Sequence, residues 1–200
     1  MVAKEKSGNP LDQIARVASA EGEKGAPPVH LWHPPYCGDL DIRIAGDGLW
    51  YYLGTPIGRE ALVRLFASVL RFDDDGRYYL VTPVEKIGIT VEDAPFMAVQ
   101  MRVCGEGNGQ VIRFITNVGD EVTVDDEHPL RFEQVGDQGH VVPYVHIRRR
   151  LEAKINRPVF YDLMEHGTTE EADGKAYFGV WSAGFFFPIV EAGFLEGLMA

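Results

Sequence analysis

Two arginines stand close to the points where the sequence predicts that helices begin, namely Arg59 and Arg157. A cation at this end of a helix opposes the positive end of the helix dipole, so a partner has to compensate for it. One such partner is a neighbouring carboxylate, for which Glu60 and Glu152 are candidates. The other is an anionic ligand that uses the helix amides together with the guanidinium. The sequence leaves both interpretations open.

A short basic segment, Arg148-Arg149-Arg150, is followed closely by Lys154 and Arg157. Only Glu152 opposes these five cations, which leaves a local charge of +4 in an otherwise acidic chain. A solvated basic face is the ordinary interpretation, and a site for a phosphate-bearing small ligand is the more specific one. Several aromatic residues could stack on a base, although most are expected in the core: Trp50, Tyr51, Tyr52, Tyr144, Phe160 and Tyr161.

The other suggestive motifs favour structural roles. The glycine run 105–109 lies between two predicted strands, so no helix N-terminus faces a phosphate there and a hairpin turn is predicted. His30, His33 and Cys37 have spacings that a metal could use, but no fourth ligand is evident. Ser182 does not stand in a Gly-x-Ser-x-Gly elbow. We therefore predict no catalytic residue, no metal site and no cofactor, and the question of enzymatic activity stays open, with the balance against it.

Composition and charge exclude several classes of partner. The chain has 200 residues, of which 46% are apolar and 24% charged, and its net charge is -11. Such a charge argues against non-specific binding to duplex DNA, RNA or an anionic membrane, because these partners need a positive field. The first residues lack the apolar stretch of a signal peptide, and the uncharged stretch 176–190 is too short and too broken by glycine and proline to span a bilayer. We therefore expect a cytoplasmic protein.

The hydrophobic pattern predicts more strands than helices. A short helix is predicted at 11–20, a proline-rich arm at 21–36, and strands at 40–44 and 49–53. Thr55-Pro56 is predicted to open a helix, with threonine as its cap, and a second helix is predicted at 157–165. The remaining strands are predicted at 77–82, 86–91, 96–104, 110–116, 121–124, 130–135, 141–147, 176–180 and 185–190. These elements predict an α+β fold of β-meanders, each covered by a helix, in three parts: 1–37, 38–94 and 95–200.

An internal repeat emerges when the sequence is shifted by 98 residues against itself. Six of the 23 positions from 57 to 79 are then identical, including Ile57-x-Arg59 with Ile155-x-Arg157 and Asp75-Gly76 with Asp173-Gly174. Roughly one or two identities would arise by chance from average residue usage. Both copies predict the same order of strand, helix, turn and strand. The sequence therefore predicts two related units that arose by duplication.

Several longer segments carry a family resemblance that covers about residues 36–190. On these residues the chain resembles the bacterial domain-of-unknown-function family 1285. The most specific part is Val81-Thr82-Pro83-Val84-Glu85-Lys86. It is supported by Leu49-Trp50-Tyr51-Tyr52, Thr55-Pro56-Ile57-Gly58-Arg59 and Asp75-Gly76-Arg77-Tyr78-Tyr79-Leu80, and in the second half by Pro143-Tyr144-Val145-His146-Ile147-Arg148 and Arg157-Pro158-Val159-Phe160-Tyr161.

The resemblance implies a duplicated core of two domains, the second superficially similar to a pleckstrin-homology-like barrel. It also implies a groove between the domains for a nucleotide-like or nucleic-acid-derived ligand, and a role in signal transduction. It implies no enzymatic activity, so it carries no catalytic residues over to this chain. A pleckstrin-homology domain normally closes with a helix, whereas strands are predicted at the end of this chain, so phosphoinositide binding is not implied.

These observations lead to one leading hypothesis and two alternatives. The leading hypothesis is a cytoplasmic, non-enzymatic ligand-binding or sensor protein for a small, nucleotide-like anion. The first alternative is a protein-interaction module whose sheet edges and proline-rich arm recruit a partner or a second copy of the chain as a homodimer. The second is a phosphoester hydrolase. For the leading hypothesis, the expected anion contacts are Arg59, Lys86, Arg148 and Arg157, with Glu85 positioning Lys86 and with Trp50 or Tyr161 as a stacking surface.

Overall fold

The computed structural model describes residue 15 and residues 27–135, 140–172 and 174–193. The chain divides into two compact units, Met1–Asp93 and Ala94–Ala200. Apart from Ala15, which is helical, the helix predicted at 11–20 lies outside the described residues. In the described ranges no helix is both long enough and apolar enough to cross a membrane.

From residue 27 onward, unit 1 contains a six-stranded sheet and a nine-residue helix. A 3₁₀ turn at Val29–Leu31 precedes the sheet. The other elements are β1 (Tyr36–Ile44), β2 (Trp50–Tyr52), β3 (Thr55–Pro56), α1 (Glu60–Ser68), β4 (Leu70–Phe72), β5 (Tyr78–Val81) and β6 (Lys86–Val91). The strand order across the sheet is β3-β2-β1-β6-β5-β4, in which the central pair β1–β6 is parallel and every other pair is antiparallel.

The apolar face of α1 and one face of the sheet form the core of unit 1. Phe66 of α1 is fully buried, and its ring lies 6.4 Å from that of Trp50. Leu62 and Phe66 are four residues apart, so both lie on one side of the helix. The sheet contributes its own fully buried side chains: Ile42, Ile44, Leu70 and Leu80.

The prediction that Thr55-Pro56 opens a helix is wrong. These two residues form β3, which pairs with β2, and α1 begins only at Glu60 with Arg59 as its N-cap residue. Leu53 and Gly54 have positive φ angles of 49° and 73°, and they reverse the chain into a tight hairpin. The fixed φ of proline suits an edge strand as well as a first helical turn, so the local signal fitted both structures.

The described residues of unit 2 form a six-stranded sheet, a three-stranded sheet and a nine-residue helix. The elements are β7 (Phe96–Cys104), β8 (Val111–Thr116), β9 (Glu121–Thr123), β10 (Leu130–Val135), β11 (His140–Arg148), β12 (Leu151–Ile155), α2 (Arg157–Glu165), β13 (Gly167–Ala172), β14 (Lys175–Ser182) and β15 (Phe185–Glu191). The strand orders are β10-β11-β12-β7-β8-β9, in which the pair β12–β7 is parallel, and β13-β14-β15. The predicted hairpin turn between β7 and β8 is confirmed, and it contains a 3₁₀ turn at Gly107–Gly109.

Buried polar side chains connect the two sheets of unit 2. Ser182 of β14 is fully buried, and its hydroxyl donates to the carbonyl of Val124 at 2.6 Å and accepts from the amide of Ile112 at 3.0 Å. Gln110, also buried, donates to the carbonyls of Trp181 at 2.8 Å and His166 at 3.3 Å. Ser182 therefore has a structural role, because it satisfies backbone groups that no strand partner reaches.

The order of elements supports the predicted duplication. Both units contain a hairpin, a nine-residue helix and a three-stranded meander, in the order β1-β2-β3-α1-β4-β5-β6 in unit 1 and β11-β12-α2-β13-β14-β15 in unit 2. The short strand β3 is an addition in unit 1. The helices begin 97 residues apart, at Glu60 and Arg157, which differs by one residue from the ungapped shift. Gly76 and Gly174, 98 residues apart, both have positive φ angles, of 76° and 74°. Asp173, which precedes the second glycine, lies outside the described residues.

The two copies differ in how the meander joins the hairpin. In unit 1, β6 pairs with β1, so the hairpin and the meander form a single sheet. In unit 2 the meander forms its own sheet, and β12 pairs with β7 instead. The simple meanders that the sequence predicted are therefore interrupted in both six-stranded sheets by a parallel pair. Four of the described strands were not predicted from the sequence: β3, β4, β12 and β13.

Candidate functional site

Charged and aromatic side chains gather on one face of the sheet in unit 1. The register pairs Arg71 with Tyr79, Tyr79 with Gly88, and Gly88 with Asp39, so these four residues form one row across β4, β5, β6 and β1. Residues two positions away along each strand lie on the same face. We call the resulting group the Tyr79 cluster: Tyr36, Asp39, Arg71, Asp73, Asp75, Arg77, Tyr79 and Lys86.

At the inner end of the cluster, Asp73 is held by two cations. Its carboxylate accepts from Arg71 Nε at 2.5 Å and from Lys86 Nζ at 2.6 Å. The Lys86 ammonium also lies 3.7 Å from the centroid of the Tyr79 ring. The side chains of Asp73 and Lys86 are each 19% exposed, so water screens this pair only in part.

The outer end of the cluster is closer to solvent. The Arg77 guanidinium lies 5.5 Å from the Tyr79 ring centroid and donates to Asp39 Oδ1 at 2.5 Å. Tyr36 also donates to that oxygen, at 2.8 Å, and its ring meets Tyr79 edge-on at 6.2 Å. Gly88 makes this arrangement possible, because a Cβ atom there would lie 1.9 Å from Asp39 Oδ1.

The cluster also holds the proline-rich arm. The Arg71 guanidinium donates to the carbonyls of Val29 and Trp32, each at 2.8 Å. Lys86 contributes its backbone amide, which donates to the carbonyl of Pro35 at 3.1 Å. Residues 27–36, the described part of the predicted arm, are thereby fixed to β4 and β6, and they include the 3₁₀ turn at Val29–Leu31 in an arm predicted as extended. Residues 21–26 of the arm lie outside the described residues.

The three carboxylates of the cluster favour their ionised forms. The hydrogen bond from Tyr36, with further help from Arg77, lowers the pKa of Asp39. For Asp73, burial works against ionisation, but Arg71 and Lys86 together outweigh it and lower the pKa. The hydrogen bond from Tyr79, at 2.6 Å, lowers the pKa of Asp75 and raises that of Tyr79. With Arg71, Arg77 and Lys86 protonated, the charges of the cluster balance.

Of the residues predicted for the site, four lie in unit 1, and only Lys86 joins the cluster through its side chain. Trp50 is 2% exposed, so it is a core residue and not a stacking surface. Arg59 is exposed at the start of α1, whereas Glu60 pairs with Arg64 at 3.6 Å. Glu85 lies in the turn before β6, and its Oε1 atom is buried with no hydrogen-bond partner in the described structure. The carboxylate that positions Lys86 is therefore Asp73 and not Glu85.

The other three predicted residues lie in unit 2, one in β11 and two in α2. Arg148, at the end of β11, pairs with Asp120 and lies 4.9 Å from the centroid of the Phe96 ring. Arg157 is the first residue of α2, where Asn156 caps the helix. Tyr161 is 62% exposed on the same helix.

Glu152, which the sequence suggested as a partner for Arg157, pairs with Arg131 instead. Arg131 of β10 binds Glu152 with its Nε and Nη2 atoms, at 3.0 and 2.7 Å, and its guanidinium lies 4.1 Å from the Tyr144 ring centroid. The contact of Arg131 with Tyr144 is a cation–π contact, like that of Arg77 with Tyr79 in unit 1.

Sequence reasoning missed most of the Tyr79 cluster. Asp39 and Arg77 are 38 positions apart, and only the parallel pairing of β1 with β6 brings them together. The one local signal is Gly88 inside an otherwise β-branched strand, which indicates a close approach by another group.

The cluster can hold an anion or stack an aromatic ring. Its cations are Arg71, Arg77 and Lys86, and the Tyr36 ring is 51% exposed. Over the described residues, no group of three or more His, Cys, Asp or Glu side chains is placed so that it could hold a metal ion.

Comparison with known proteins places the chain in a family. Among curated proteins, none matches it. A solved DUF1285 family protein from Silicibacter pomeroyi DSS-3 is 50% identical, with a TM-score of 0.84 over 95% of this chain and 100% of that one. A DUF1285 family protein from Shewanella baltica OS155 is 29% identical, with a TM-score of 0.50 over 64% of this chain and 92% of that one. Residues 27–94 match the N-terminal domain and residues 95–189 the C-terminal domain of DUF1285, both described as of unknown function. The chain therefore belongs to the DUF1285 family.

Proposed function

We propose that unit 1 binds a small phosphate-bearing anion, such as a nucleotide, at the Tyr79 cluster. The observation that carries the proposal is the convergence of Lys86 and Arg77 on one tyrosine ring, at 3.7 and 5.5 Å from its centroid. Guanidinium and ammonium groups are the side chains that proteins use for phosphate.

Arg77 is the cation that a ligand reaches first. Its side chain is 45% exposed and that of its partner Asp39 is 59% exposed. Ion pairs that are this open to solvent contribute little to stability, since water screens them. A phosphate can therefore displace Asp39 from Arg77 at low cost. The less exposed group of Arg71, Lys86 and Asp73 stays in place, and its two cations and one carboxylate leave one positive charge beside the bound anion.

Tyr36 supplies the second half of the proposed site. Its exposed ring lies beside Arg77 through their shared contact with Asp39, so a base attached to the phosphate can stack on it. In this proposal Tyr36 takes the stacking role that the sequence suggested for Trp50 or Tyr161.

Three further parts of the leading hypothesis from the sequence are also proposals. They are a non-enzymatic sensor that acts in signal transduction, a cytoplasmic location, and a likeness of the second unit to a pleckstrin-homology-like barrel. The family resemblance supports the first and the third. The rival proposal is a protein-interaction module, and the experiment below separates the two.

The test is a thermal-shift and calorimetric titration of the full chain with inorganic phosphate and with nucleoside mono-, di- and triphosphates. Ligand at one hundred times its Kd should add about 2.7 kcal/mol to the free energy of unfolding. Arg77→Gln should weaken binding of every phosphate ligand. Tyr36→Leu should weaken nucleotides and leave inorganic phosphate unchanged.

The matched control is Arg43→Gln. Arg43 lies on the same sheet, pairs with Glu92, and has its guanidinium 4.4 Å from the Tyr51 ring centroid, but it stands outside the cluster. It should leave binding unchanged. A folded wild-type chain that binds none of the ligands would refute the proposal and favour the protein-interaction module. Equal losses in Arg77→Gln and Arg43→Gln would show that the site is elsewhere.

A further inference from the structure

Strand β10 forms one edge of the six-stranded sheet of unit 2. It pairs with β11 along all six of its residues without a register shift, and no strand of the described residues pairs with its other side. An edge strand carries a row of backbone N–H and C=O groups with which a further strand can pair. Proteins usually block such edges with short strands, proline, bulges or charges.

The other edge strands of the described structure are less suited to pairing with a second copy. Strands β3, β4 and β9 have only two or three residues. In β15, Pro188 lacks a backbone N–H, and the pairing of this strand with β14 contains a register shift. Strand β13 carries two glutamates and no cation. Among the described edges, β10 is the one that is long, regular and charged with both signs.

The pairing with β11 shows which backbone groups of β10 point outward. The carbonyl of Pro129, the residue before β10, accepts from the amide of His146 in β11 at 3.1 Å. In an antiparallel ladder the backbone groups of successive residues point alternately to the two sides of the strand. The groups of Arg131 and Glu133 therefore point toward β11. The residues of β10 whose groups point away from β11 are Leu130, Phe132 and Gln134.

A second copy of β10 fits this edge best in one antiparallel register. Residues that stand opposite each other must both direct their backbone groups toward the other strand or both away from it, so the two-fold axis passes through a residue and not between two. An axis at Arg131 or at Glu133 places two like charges directly opposite each other, which is unfavourable. An axis at Phe132 pairs residues 130–134 and places each Arg131 opposite the Glu133 of the other copy. An axis nearer either end of β10 pairs at most three of its residues.

The charged face of β10 accepts this register without leaving a charge unpaired. Within one chain the Arg131 Nη1 atom donates to Glu133 Oε2 at 2.9 Å, and the two side chains are 46% and 54% exposed. Between the copies Arg131 and Glu133 form a pair without backbone hydrogen bonds, the type in which opposite side chains come closest. Nη1 can therefore turn to the other copy, while the Nε and Nη2 atoms keep Glu152.

The opposite face of β10 contributes aromatic surface. The ring of Phe132 lies 6.4 Å from that of Phe160 in α2, and both residues are partly exposed in the single chain. A two-fold axis at Phe132 brings the two Phe132 side chains side by side on the same face of the joined sheet. Each copy then covers aromatic surface of the other, and its removal from water favours association.

We propose that the chain forms a two-fold symmetric homodimer in which β10 pairs with β10 of a second copy. The two six-stranded sheets of unit 2 thereby join into one continuous sheet. Phe132 stands opposite Phe132, and Arg131 stands opposite Glu133 on both sides of the axis. The proposed contact involves unit 2 and is independent of the anion site proposed for unit 1.

The first experiment is sedimentation velocity of the full chain over a range of concentrations. The mass of wild type should rise with concentration from that of one chain toward that of two. Glu133→Lys places a lysine opposite Arg131 twice in each dimer, so it should weaken dimerisation by about tenfold or more. Only a solvent-exposed ion pair is lost within the single chain, so the variant should fold like wild type.

The matched control is Glu121→Lys. Glu121 lies in β9, at the other edge of the same sheet, and pairs with Arg113 at 3.8 Å with both side chains about as exposed as those of Arg131 and Glu133. This variant has the same charge change and should dimerise like wild type. A wild-type chain that stays monomeric at every concentration would overturn the proposal. Equal weakening by the two substitutions would show that β10 is not the interface.

The second experiment tests the register by cross-linking. Phe132→Cys and Gln134→Cys are compared in chains whose exposed cysteines, Cys37 and Cys104, are replaced by serine. Opposite residues of a hydrogen-bonded pair have Cα atoms about 5.5 Å apart, which a disulfide can span. Phe132→Cys should therefore form a covalent dimer on mild oxidation. The two Gln134 positions are about 14 Å apart in this register and should not cross-link. A covalent dimer from Gln134→Cys, or none from Phe132→Cys, would overturn the register.

Discussion

The ammonium group of Lys86 lies between the ring of Tyr79, at 3.7 Å from its centroid, and the carboxylate of Asp73, at 2.6 Å from Oδ2. Tyr79 is in β5, Asp73 stands just after β4, and Lys86 opens β6. One side chain thus connects three consecutive strands of the meander on one face of the sheet. Lys86 is also the last residue of the segment 81–86, the most specific part of the family resemblance. Its contacts with Tyr79 and Asp73 give that position of the segment a structural role.

Lys86→Gln should destabilise the protein. The substitution removes the charge-assisted hydrogen bond to Asp73 and the cation–π contact with Tyr79 in a half-buried setting, so we expect a loss of about 1–2 kcal/mol in the free energy of unfolding. Urea unfolding measures it. Lys175→Gln is the control, since Lys175 pairs with Glu191 at the same distance of 2.6 Å but with both side chains more than half exposed. The control should lie close to wild type, and an equal loss in both variants would contradict the special position of Lys86.

Asp73 should make stability depend on pH on the acid side. Its pKa is lowered in the folded chain, because Arg71 and Lys86 outweigh the effect of burial. The unfolded state therefore takes up a proton first as the pH falls below about 4, and stability is lost with falling pH. Asp73→Asn should be less stable than wild type at neutral pH, and the difference should narrow under acid. Urea midpoints across the acid range test this, and a constant difference would refute it.

Ser182→Ala should be costly although it removes one oxygen atom. The amide of Ile112 and the carbonyl of Val124 would both lose their partner in a fully buried place. Leaving such groups unsatisfied costs about 1–3 kcal/mol each, so a loss of about 2–4 kcal/mol is expected. Ser68→Ala is the matched control, because the Ser68 hydroxyl donates only to the Leu65 carbonyl within α1. It should change stability by less than about 1 kcal/mol. Similar midpoints for the two variants would show that Ser182 does not connect the sheets.

Two glycines should respond very differently to alanine. At Gly179 a Cβ atom would lie 2.4 Å from the carbonyl oxygen of Phe187 and 2.9 Å from Cα of Pro188, so the backbone of β14 or β15 has to move. We expect a loss of about 3 kcal/mol or more. At Gly88 the obstacle is the carboxylate of Asp39, an exposed side chain that can swing away. Thermal unfolding of Gly179→Ala and Gly88→Ala should show the larger loss at Gly179, and the reverse order would contradict this account of the close contacts.

Much of the secondary structure was predictable from local patterns. Strands such as β6 and β10 alternate or carry β-branched residues between turn signals, and the helix at 157–165 was predicted with the bounds that it has. The prediction of secondary structure failed where a local pattern is compatible with two structures or favours neither. Thr55-Pro56 fits a helix start and an edge strand, and the polar strand β13 has a sequence, Gly-Thr-Thr-Glu-Glu-Ala, with no apolar alternation. In both cases pairing with a neighbouring strand decided the outcome.

By itself the sequence determined the α+β class, the repeated order of elements and the family. Tertiary structure alone decided that Asp73 and not Glu85 holds Lys86, that Trp50 is buried, and that Asp39 reaches Arg77 across Gly88. The physical reason is strand register. An alternation with a period of two specifies which face a side chain occupies, but it fits many registers equally well. The parallel pairing of β1 with β6, between strands far apart in the chain, selects one of them and so assembles the cluster.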